Sequence, residues 1–142
     1  YRVSTWRARE PTPLAPQLAQ AEIVINLLPL TPATRGLLDA RCFATLPRGA
    51  SMINLARGAH IVDADLIAAL DSGHLHRAVL DVFHSEPLPA AHPFWRHPRV
   101  TVLPHVAALT DERSAAQVVA VNLSALASGA PLANLVDRAR GY

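Results

Sequence analysis

Short apolar runs that end in a turn or a polar residue constrain the fold of this chain more than any other feature. The run from Ala50 to Asn54 is one of them, and it is too short for an ordinary helix. Runs of this length are typical of strands buried in a parallel sheet. Because segments of helical periodicity separate the runs, the alternation indicates βαβ units. We therefore expect an α/β fold with a mainly parallel, doubly wound sheet.

The same pattern sets the expected bounds of each element. Strands are predicted at 2–6, 22–28, 50–54, 78–83 and 100–103. Helices are predicted at 14–20, 36–46, 63–71 and 111–127. Asp39 and Asp63 are the expected N-caps of the second and third helices. The proline-rich segment 87–98 is expected to be a surface excursion.

Composition excludes several classes of protein. Hydrophobic residues make up 51% of the chain and charged residues 17%, which argues for a real core and against disorder. The formal net charge of +2 is too small to favour nucleic acid as a partner. No apolar run approaches the roughly 20 residues of a membrane span. We expect a soluble, cytoplasmic protein.

The cysteine and most of the histidines are interpreted as structural. Cys42 lies among apolar residues, and no basic neighbour in the local sequence would activate it, so we expect a small buried side chain in a reducing compartment. A group of histidines matches no zinc spacing, and scattered surface positions are the preferred interpretation. These are His60, His74, His76, His84, His92 and His97. We expect no metal.

Polar residues follow three of the predicted strands. Arg57 follows 50–54, Glu86 follows 78–83, and His105 follows 100–103. Because the carboxyl ends of neighbouring parallel strands share one edge of a sheet, these residues should converge there. A carboxylate beside an imidazole favours the protonated ring, and a guanidinium can bind a carboxylate through two hydrogen bonds. Such groups can bind a 2-oxo acid and protonate its carbonyl while a cofactor delivers hydride.

Each of these residues also has an ordinary structural interpretation. An arginine at a strand end is often solvated, a loop histidine is often simply hydrogen-bonded, and Glu86 before Pro87 fits a solvated turn. Asp81 is different, because it lies inside an apolar strand and a buried carboxylate needs a partner. A polar ligand group and an internal hydrogen bond are equally good partners for it.

Three motifs then occur in order along the chain. They are Asn54-Leu55-Ala56-Arg57-Gly58, Leu80-Asp81-Val82-Phe83-His84-Ser85-Glu86-Pro87-Leu88 and Pro104-His105-Val106-Ala107-Ala108. In this order they strongly resemble the C-terminal half of the D-2-hydroxyacid dehydrogenases. The segments 26–29, 93–100 and 136–142 are similar to the glyoxylate/hydroxypyruvate reductase branch of that family. The resemblance covers nearly the whole chain.

The resemblance implies a partial Rossmann-like fold and the NAD(P)H-dependent reduction of a small 2-oxo acid, glyoxylate or hydroxypyruvate. Arg57 matches the arginine that binds the substrate carboxylate, His105 matches the general acid, and Glu86 matches its paired carboxylate. Asp81 matches the acid that orients the nicotinamide carboxamide. The positions that match the cofactor lining, mostly through backbone, are Leu28, Pro29, Ala56, Arg57, His105, Ala107 and Ala108.

Cations near the first predicted strand bear on the choice of cofactor. Arg7 and Arg9 follow that strand, whose end in the family usually meets the adenosine ribose. Arginine suits a 2′-phosphate, whereas NAD-specific relatives carry an acidic residue there. NADPH is therefore the expected cofactor, with NAD as the alternative. The local pattern departs from the family form, so the choice between Arg7 and Arg9 stays open, as does simple exposure of both.

A glycine-rich phosphate loop is absent from the sequence. The chain is therefore interpreted as a C-terminal fragment, with 1–109 as a nucleotide-binding domain lacking its first βα unit. Residues 110–142 would be a helix and tail that pack on a missing substrate domain. The full-length protein is expected to be a homodimer, and the fragment alone to be inactive. A non-enzymatic, dinucleotide-sensing module of the corepressor type is the alternative function, and a truncated product is a third.

Overall fold

The computed structural model describes residues 2–8 and 12–139, which contain one parallel sheet of four strands. The strands are β1 (Ile23–Asn26), β2 (Ala50–Asn54), β3 (Leu75–Leu80) and β4 (Val100–Val102). Their order across the sheet is their order along the chain, and each neighbouring pair is parallel. The predicted α/β class with a parallel sheet is confirmed.

Helices and short 3₁₀ turns connect the strands. The helices are α1 (Ala15–Leu18), α2 (Ala40–Thr45), α3 (Asp63–Asp71) and α4 (Glu112–Ser128), and the turns are Gly58–His60 and Pro93–Trp95. The bounds of β2 and α3 agree with the predicted ones, and those of α1, β4 and α4 differ by one or two residues. None of the helices within the described ranges has the length and apolarity that a membrane crossing requires.

The core lies between the sheet and the helices α2 and α3. Along β2 the side chains of Ala50, Met52 and Asn54 are buried, while the alternate residues are half-buried. Leu66 and Leu70 of α3 are fully buried against this layer. Burying each such side chain contributes about 1.5–3 kcal/mol. The strand thus packs one face on the helices and brings its last residue, an asparagine, to the carboxyl edge.

The chain divides into two compact units between Val106 and Ala107. The first contains the sheet, α1 to α3 and both turns. The second contains α4, whose N-cap Asp111 accepts a hydrogen bond from the Ser114 amide at 2.9 Å. The Asn122 side chain both donates to and accepts from the backbone of Ala133, at 3.2 and 2.8 Å, and so connects the following tail to α4. That the segments 1–109 and 110–142 belong to different domains of a longer protein stays a prediction.

The strand predicted at 2–6 is wrong, since these residues form no strand and Val3 is 82% exposed. β1 is also less buried than its apolar sequence predicts. Within the described residues it pairs only with β2, and Ile23 and Ile25 are 44% and 54% exposed. A run of apolar residues predicts burial on both faces, but a strand becomes buried only where other elements cover it.

α2 and β3 occupy different ranges from those predicted at 36–46 and 78–83. Gly36 has a φ of 64° and Leu38 forms an isolated bridge with Ile61, so α2 begins only at Ala40. The predicted cap is confirmed, because Asp39 accepts a hydrogen bond from the Cys42 amide at 2.9 Å. β3 begins three residues earlier than predicted, at Leu75, because the exposed polar residues that follow it hid the strand pattern.

Two smaller expectations are also corrected. The N-cap of α3 is Val62, which forms no side-chain cap hydrogen bond, and Asp63 is the first helical residue. The segment 87–98 is only partly a surface excursion, since Phe94 is 2% exposed and belongs to the core. Cys42 is buried as expected, and burial together with the charge of Asp39 raises its pKa to about 11.

Candidate active site

Two buried asparagines connect the carboxyl ends of β1 and β2. Asn26 and Asn54 are register partners, and Asn26 Nδ2 donates a hydrogen bond to Asn54 Oδ1 at 2.9 Å. Each also binds the loop that follows its own strand. Asn26 Oδ1 accepts from the Leu28 amide at 3.2 Å, Asn54 Oδ1 accepts from the Ala56 amide at 3.2 Å, and Asn54 Nδ2 donates to the Arg57 carbonyl at 3.0 Å. The pair therefore sets the path of both loops.

Arg57 combines a fixed backbone with an exposed side chain. Its carbonyl oxygen also accepts from the His60 amide at 3.2 Å and lies 3.1 Å from His60 Nδ1. The other ring nitrogen of His60 lies 3.3 Å from the Pro29 carbonyl oxygen. The guanidinium is exposed and donates to the Ala56 carbonyl at 2.6 Å. Hydrogen bonds therefore hold the Arg57 backbone in place, while its guanidinium is exposed.

The interpretation of the histidines as surface residues is wrong for His60, which is completely buried. It also fails for His74, His92 and His97, which are half-buried. The Nε2 atom of His74 lies 2.9 Å from the Phe43 carbonyl oxygen, and that of His97 lies 3.1 Å from Asp71 Oδ1. Periodicity does not show which partners a histidine meets in the fold, so these positions were missed. In the described ranges no group of His, Cys, Asp and Glu residues has the arrangement of a metal site.

Glu86 and His105 form a direct pair at the carboxyl edge of the sheet. His105 Nδ1 lies 2.7 Å from Glu86 Oε2, and Glu86 Oε1 accepts a hydrogen bond from the Phe83 amide at 2.9 Å. These two hydrogen bonds hold the pKa of Glu86 below its usual value, and the positive charge of Arg57 lowers it further. Since Nδ1 is bound to the carboxylate, Nε2 is the ring nitrogen that can exchange a proton with a bound molecule.

The backbone around His105 is constrained. His105 has a φ of 59°, a left-handed conformation that costs a non-glycine residue about 1 kcal/mol or more and is most frequent at functional sites. The next amide, of Val106, donates to Asp81 Oδ1 at 2.9 Å, and Asp81 is only 1% exposed. An internal hydrogen bond is therefore one partner of this buried carboxylate, and its role toward a ligand stays a prediction.

The sheet edge brings together most of the predicted site residues. Leu28 and Pro29 are half-buried residues that follow β1, and Ala56 is a buried residue that follows β2. Ala107 and Ala108 are exposed residues of the second unit. Arg7 lies in the irregular segment 2–8. Arg9 and the last three residues of the 136–142 motif lie outside the described residues.

Comparison with known proteins identifies the family. Residues 4–107 match the model of the D-isomer specific 2-hydroxyacid dehydrogenase NAD-binding domain. The chain belongs to this family. This confirms the resemblance drawn from the motifs and the Rossmann-like interpretation of the sheet.

Named relatives and solved structures agree with this assignment. The chain is 54% identical over 121 residues to glyoxylate/hydroxypyruvate reductase A of Serratia proteamaculans, covering 85% of this chain and 39% of that protein. A 2-hydroxyacid dehydrogenase of Xanthobacter autotrophicus, crystallised with NADPH and MES, is 50% identical with a TM-score of 0.87, covering 91% of this chain and 53% of the other. An NADPH-dependent glyoxylate/hydroxypyruvate reductase of Sinorhizobium meliloti, crystallised with NADP and sulfate, is 42% identical with a TM-score of 0.86, covering 91% and 42%.

The chain spans about two fifths of the Serratia reductase, or 39% of its length. The first compact unit contains Arg57, Asp81, Glu86 and His105, whose roles in a dehydrogenase stay predictions.

Proposed function

We propose that this chain is the nicotinamide-binding part of an NADPH-dependent reductase of small 2-oxo acids, with glyoxylate or hydroxypyruvate as substrate and a D-2-hydroxy acid as product. The observation that carries the proposal is the contact of 2.7 Å between His105 Nδ1 and Glu86 Oε2. The names of the Serratia and Sinorhizobium relatives support the substrate class. The activity is proposed for a longer protein, because the chain spans only part of these relatives.

Each of the three residues Arg57, Glu86 and His105 has its own role toward the substrate. The exposed guanidinium of Arg57 binds the substrate carboxylate and polarises the keto oxygen. His105 donates the Nε2 proton to that oxygen as the carbonyl is reduced. Glu86 stabilises the imidazolium from which the proton comes and keeps Nδ1 protonated, so that Nε2 faces the reaction. The hydride would come from a dinucleotide held at this edge.

The carboxyl edge has the chemistry that a nicotinamide requires. The loops that follow β1 and β2 supply Leu28, Pro29 and Ala56, and the asparagine pair binds the amides of Leu28 and Ala56. Asp81 offers a buried carboxylate at the same edge. An apolar lining with a few fixed polar groups suits the ring and its carboxamide. By the family resemblance, Ala107 and Ala108 match two further cofactor-lining positions, and Arg7 or Arg9 is proposed to bind the 2′-phosphate of NADPH.

The test uses the longer protein that contains this chain. We expect it to oxidise NADPH only when glyoxylate or hydroxypyruvate is present, and to bind NADPH more tightly than NADH. If NADPH is oxidised with neither glyoxylate nor hydroxypyruvate, the proposed reaction is refuted. If NADH binds more tightly than NADPH, the proposed role of Arg7 or Arg9 is refuted. The 142-residue chain alone is expected to be inactive.

We also propose that the longer protein is a cytoplasmic homodimer, as the family resemblance implies. The free, buried thiol of Cys42 supports a reducing compartment, since a lone cysteine forms no internal disulfide. Light scattering on the longer protein tests the dimer, and a monomer at micromolar concentration would contradict it.

A further inference from the structure

The loop that carries Arg57 and the loop that carries Glu86 touch backbone to backbone. A Cβ atom on Gly58 would collide with main-chain atoms of Phe83 and His84. Because the obstacle is backbone rather than a flexible side chain, the close approach requires glycine. Gly58 follows Arg57 directly, so any separation of the two loops moves the backbone next to the substrate-binding cation.

The ring of His84 forms a second connection between the same loops. His84 Nε2 lies 2.9 Å from the carbonyl oxygen of Ile61, which follows the 3₁₀ turn Gly58–His60. A carbonyl only accepts hydrogen bonds, so Nε2 carries the hydrogen. The carboxylate of Asp63 lies 3.6 Å from the same nitrogen, which favours this arrangement of the ring.

The backbone at residues 83 and 84 in turn sets the direction of Glu86. The Phe83 amide donates to Glu86 Oε1 at 2.9 Å, and the other oxygen of the carboxylate binds His105. A shift of residue 83 would turn the carboxylate away from the imidazole. The Phe83 amide therefore transmits the position of one loop to the proton-donating pair.

We propose that His84 is a positioning residue. By donating to the Ile61 carbonyl, it holds the Phe83 amide where that amide donates to Glu86 Oε1, and it thereby aligns the Glu86–His105 pair with Arg57. The inference rests on the proposed function in assigning proton donation to that pair. His84 contacts neither substrate nor cofactor in this scheme and acts only through the backbone of its loop.

The first measurement uses the unmodified 142-residue chain. Nitrogen-15 NMR of the His84 ring is expected to show hydrogen on Nε2 and a hydrogen bond from it. Hydrogen on Nδ1 instead would overturn the proposal, because Nε2 then has nothing to donate to Ile61. This result does not depend on whether any variant folds.

The second measurement follows the carboxyl carbon of Glu86 by NMR titration in three variants. His84→Leu removes the donor and keeps the bulk, His84→Gln returns an N–H near the Nε2 position, and His76→Leu is the control at an exposed histidine of β3. We expect His84→Leu to raise the pKa of Glu86 toward its ordinary value, His84→Gln to restore it, and His76→Leu to leave it unchanged. An unchanged titration in folded His84→Leu, or an equal rise in His84→Gln, would overturn the proposal.

Kinetics of the longer protein distinguish this inference from the proposed function. There His84→Leu is expected to lower kcat roughly 10-fold, since small misplacements of a reacting group have effects of this order or larger, with a smaller change in KM and with recovery in His84→Gln. If the protein with His84 intact reduces no 2-oxo acid, the proposed function fails while the NMR result still decides the role of His84. If it is active and His84→Leu leaves kcat unchanged, the positioning role fails and the function stands.

Discussion

The carboxylate of Glu86 lies between two donors, with Oε2 at 2.7 Å from His105 Nδ1 and Oε1 at 2.9 Å from the Phe83 amide nitrogen. One donor belongs to the loop that follows β4 and the other to the loop that follows β3. The carboxylate is therefore oriented both by its own loop, through the amide three residues before it, and by the loop of the neighbouring strand, through His105.

Glu86→Gln is expected to change how the stability of the chain depends on pH. The pKa of Glu86 is lowered in the folded state by His105 and the Phe83 amide. Its stabilising contribution is therefore complete above the unfolded-state value of about 4.3 and is lost as the pH falls through the lower folded-state value. The free energy of unfolding, measured in urea across this range, should rise less steeply with pH in the variant. Glu22→Gln, at an exposed position that precedes β1, is the control and should keep the steeper dependence.

His105→Asn is expected to lower kcat of the longer protein by about 10²–10⁴, the usual effect of removing a general acid. Affinity for NADPH, measured by fluorescence titration, should change by only a few fold. His76→Asn, at an exposed position of β3, should retain full activity. A variant at His105 with native kcat would show that another group donates the proton.

Arg57→Lys is expected to raise KM for the 2-oxo acid more than 10-fold, because an ammonium cannot form the two parallel hydrogen bonds of a guanidinium with a carboxylate. Arg77→Lys is the matched control, since Arg77 is an exposed arginine of β3, near the start of the strand. Steady-state kinetics of both variants in the longer protein measure the effect. Equal KM values for the two variants would argue against Arg57 as the carboxylate anchor.

Asn54→Ala is expected to destabilise the chain by about 2–4 kcal/mol, since it leaves Asn26 and the Ala56 amide without their partner in a buried site. Asn122→Ala, at a half-buried position of α4, should have a smaller effect. Urea unfolding of both variants compares them. The double variant Asn26→Ala/Asn54→Ala should lose less stability than the two single variants lose in sum, because the two side chains are hydrogen-bonded to each other.

Gly58→Ala is expected to be far more disruptive than Gly129→Ala. The added carbon at residue 58 meets main-chain atoms of Phe83 and His84, whereas at Gly129 it meets open space. Gly129 has a φ of 69°, so alanine there should cost only about 1–2 kcal/mol through its left-handed backbone. Thermal unfolding of the two variants separates steric collision from backbone strain. Equal losses of stability in the two variants would indicate that the loop of Gly58 and the loop of Phe83 and His84 move apart easily.

Local signals were sufficient to predict the bounds of two elements. The apolar run Ala50–Asn54 and the periodic segment Asp63–Asp71 agree with β2 and α3, because period and turn residues are properties of adjacent positions. Local sequence patterns failed where the burial of a strand depends on the elements that pack against it. Three of the four residues of β1 are apolar, yet Ile25 is 54% exposed, because the residues of a strand do not show which elements cover it.

The sequence by itself determined the family and the parallel sheet, and it predicted Arg57, Asp81, Glu86 and His105 as site residues, because ordered motifs and the direction of parallel strands carry that information. Only the tertiary structure decided which groups they bind. Asp81 Oδ1 accepts a hydrogen bond from the amide of Val106, 25 residues away. The Nε2 atom of the buried His60 ring lies 3.3 Å from the carbonyl oxygen of Pro29, 31 residues away. Hydrogen-bond partners at such separations depend on how strands and loops meet in space, which local chemistry does not specify.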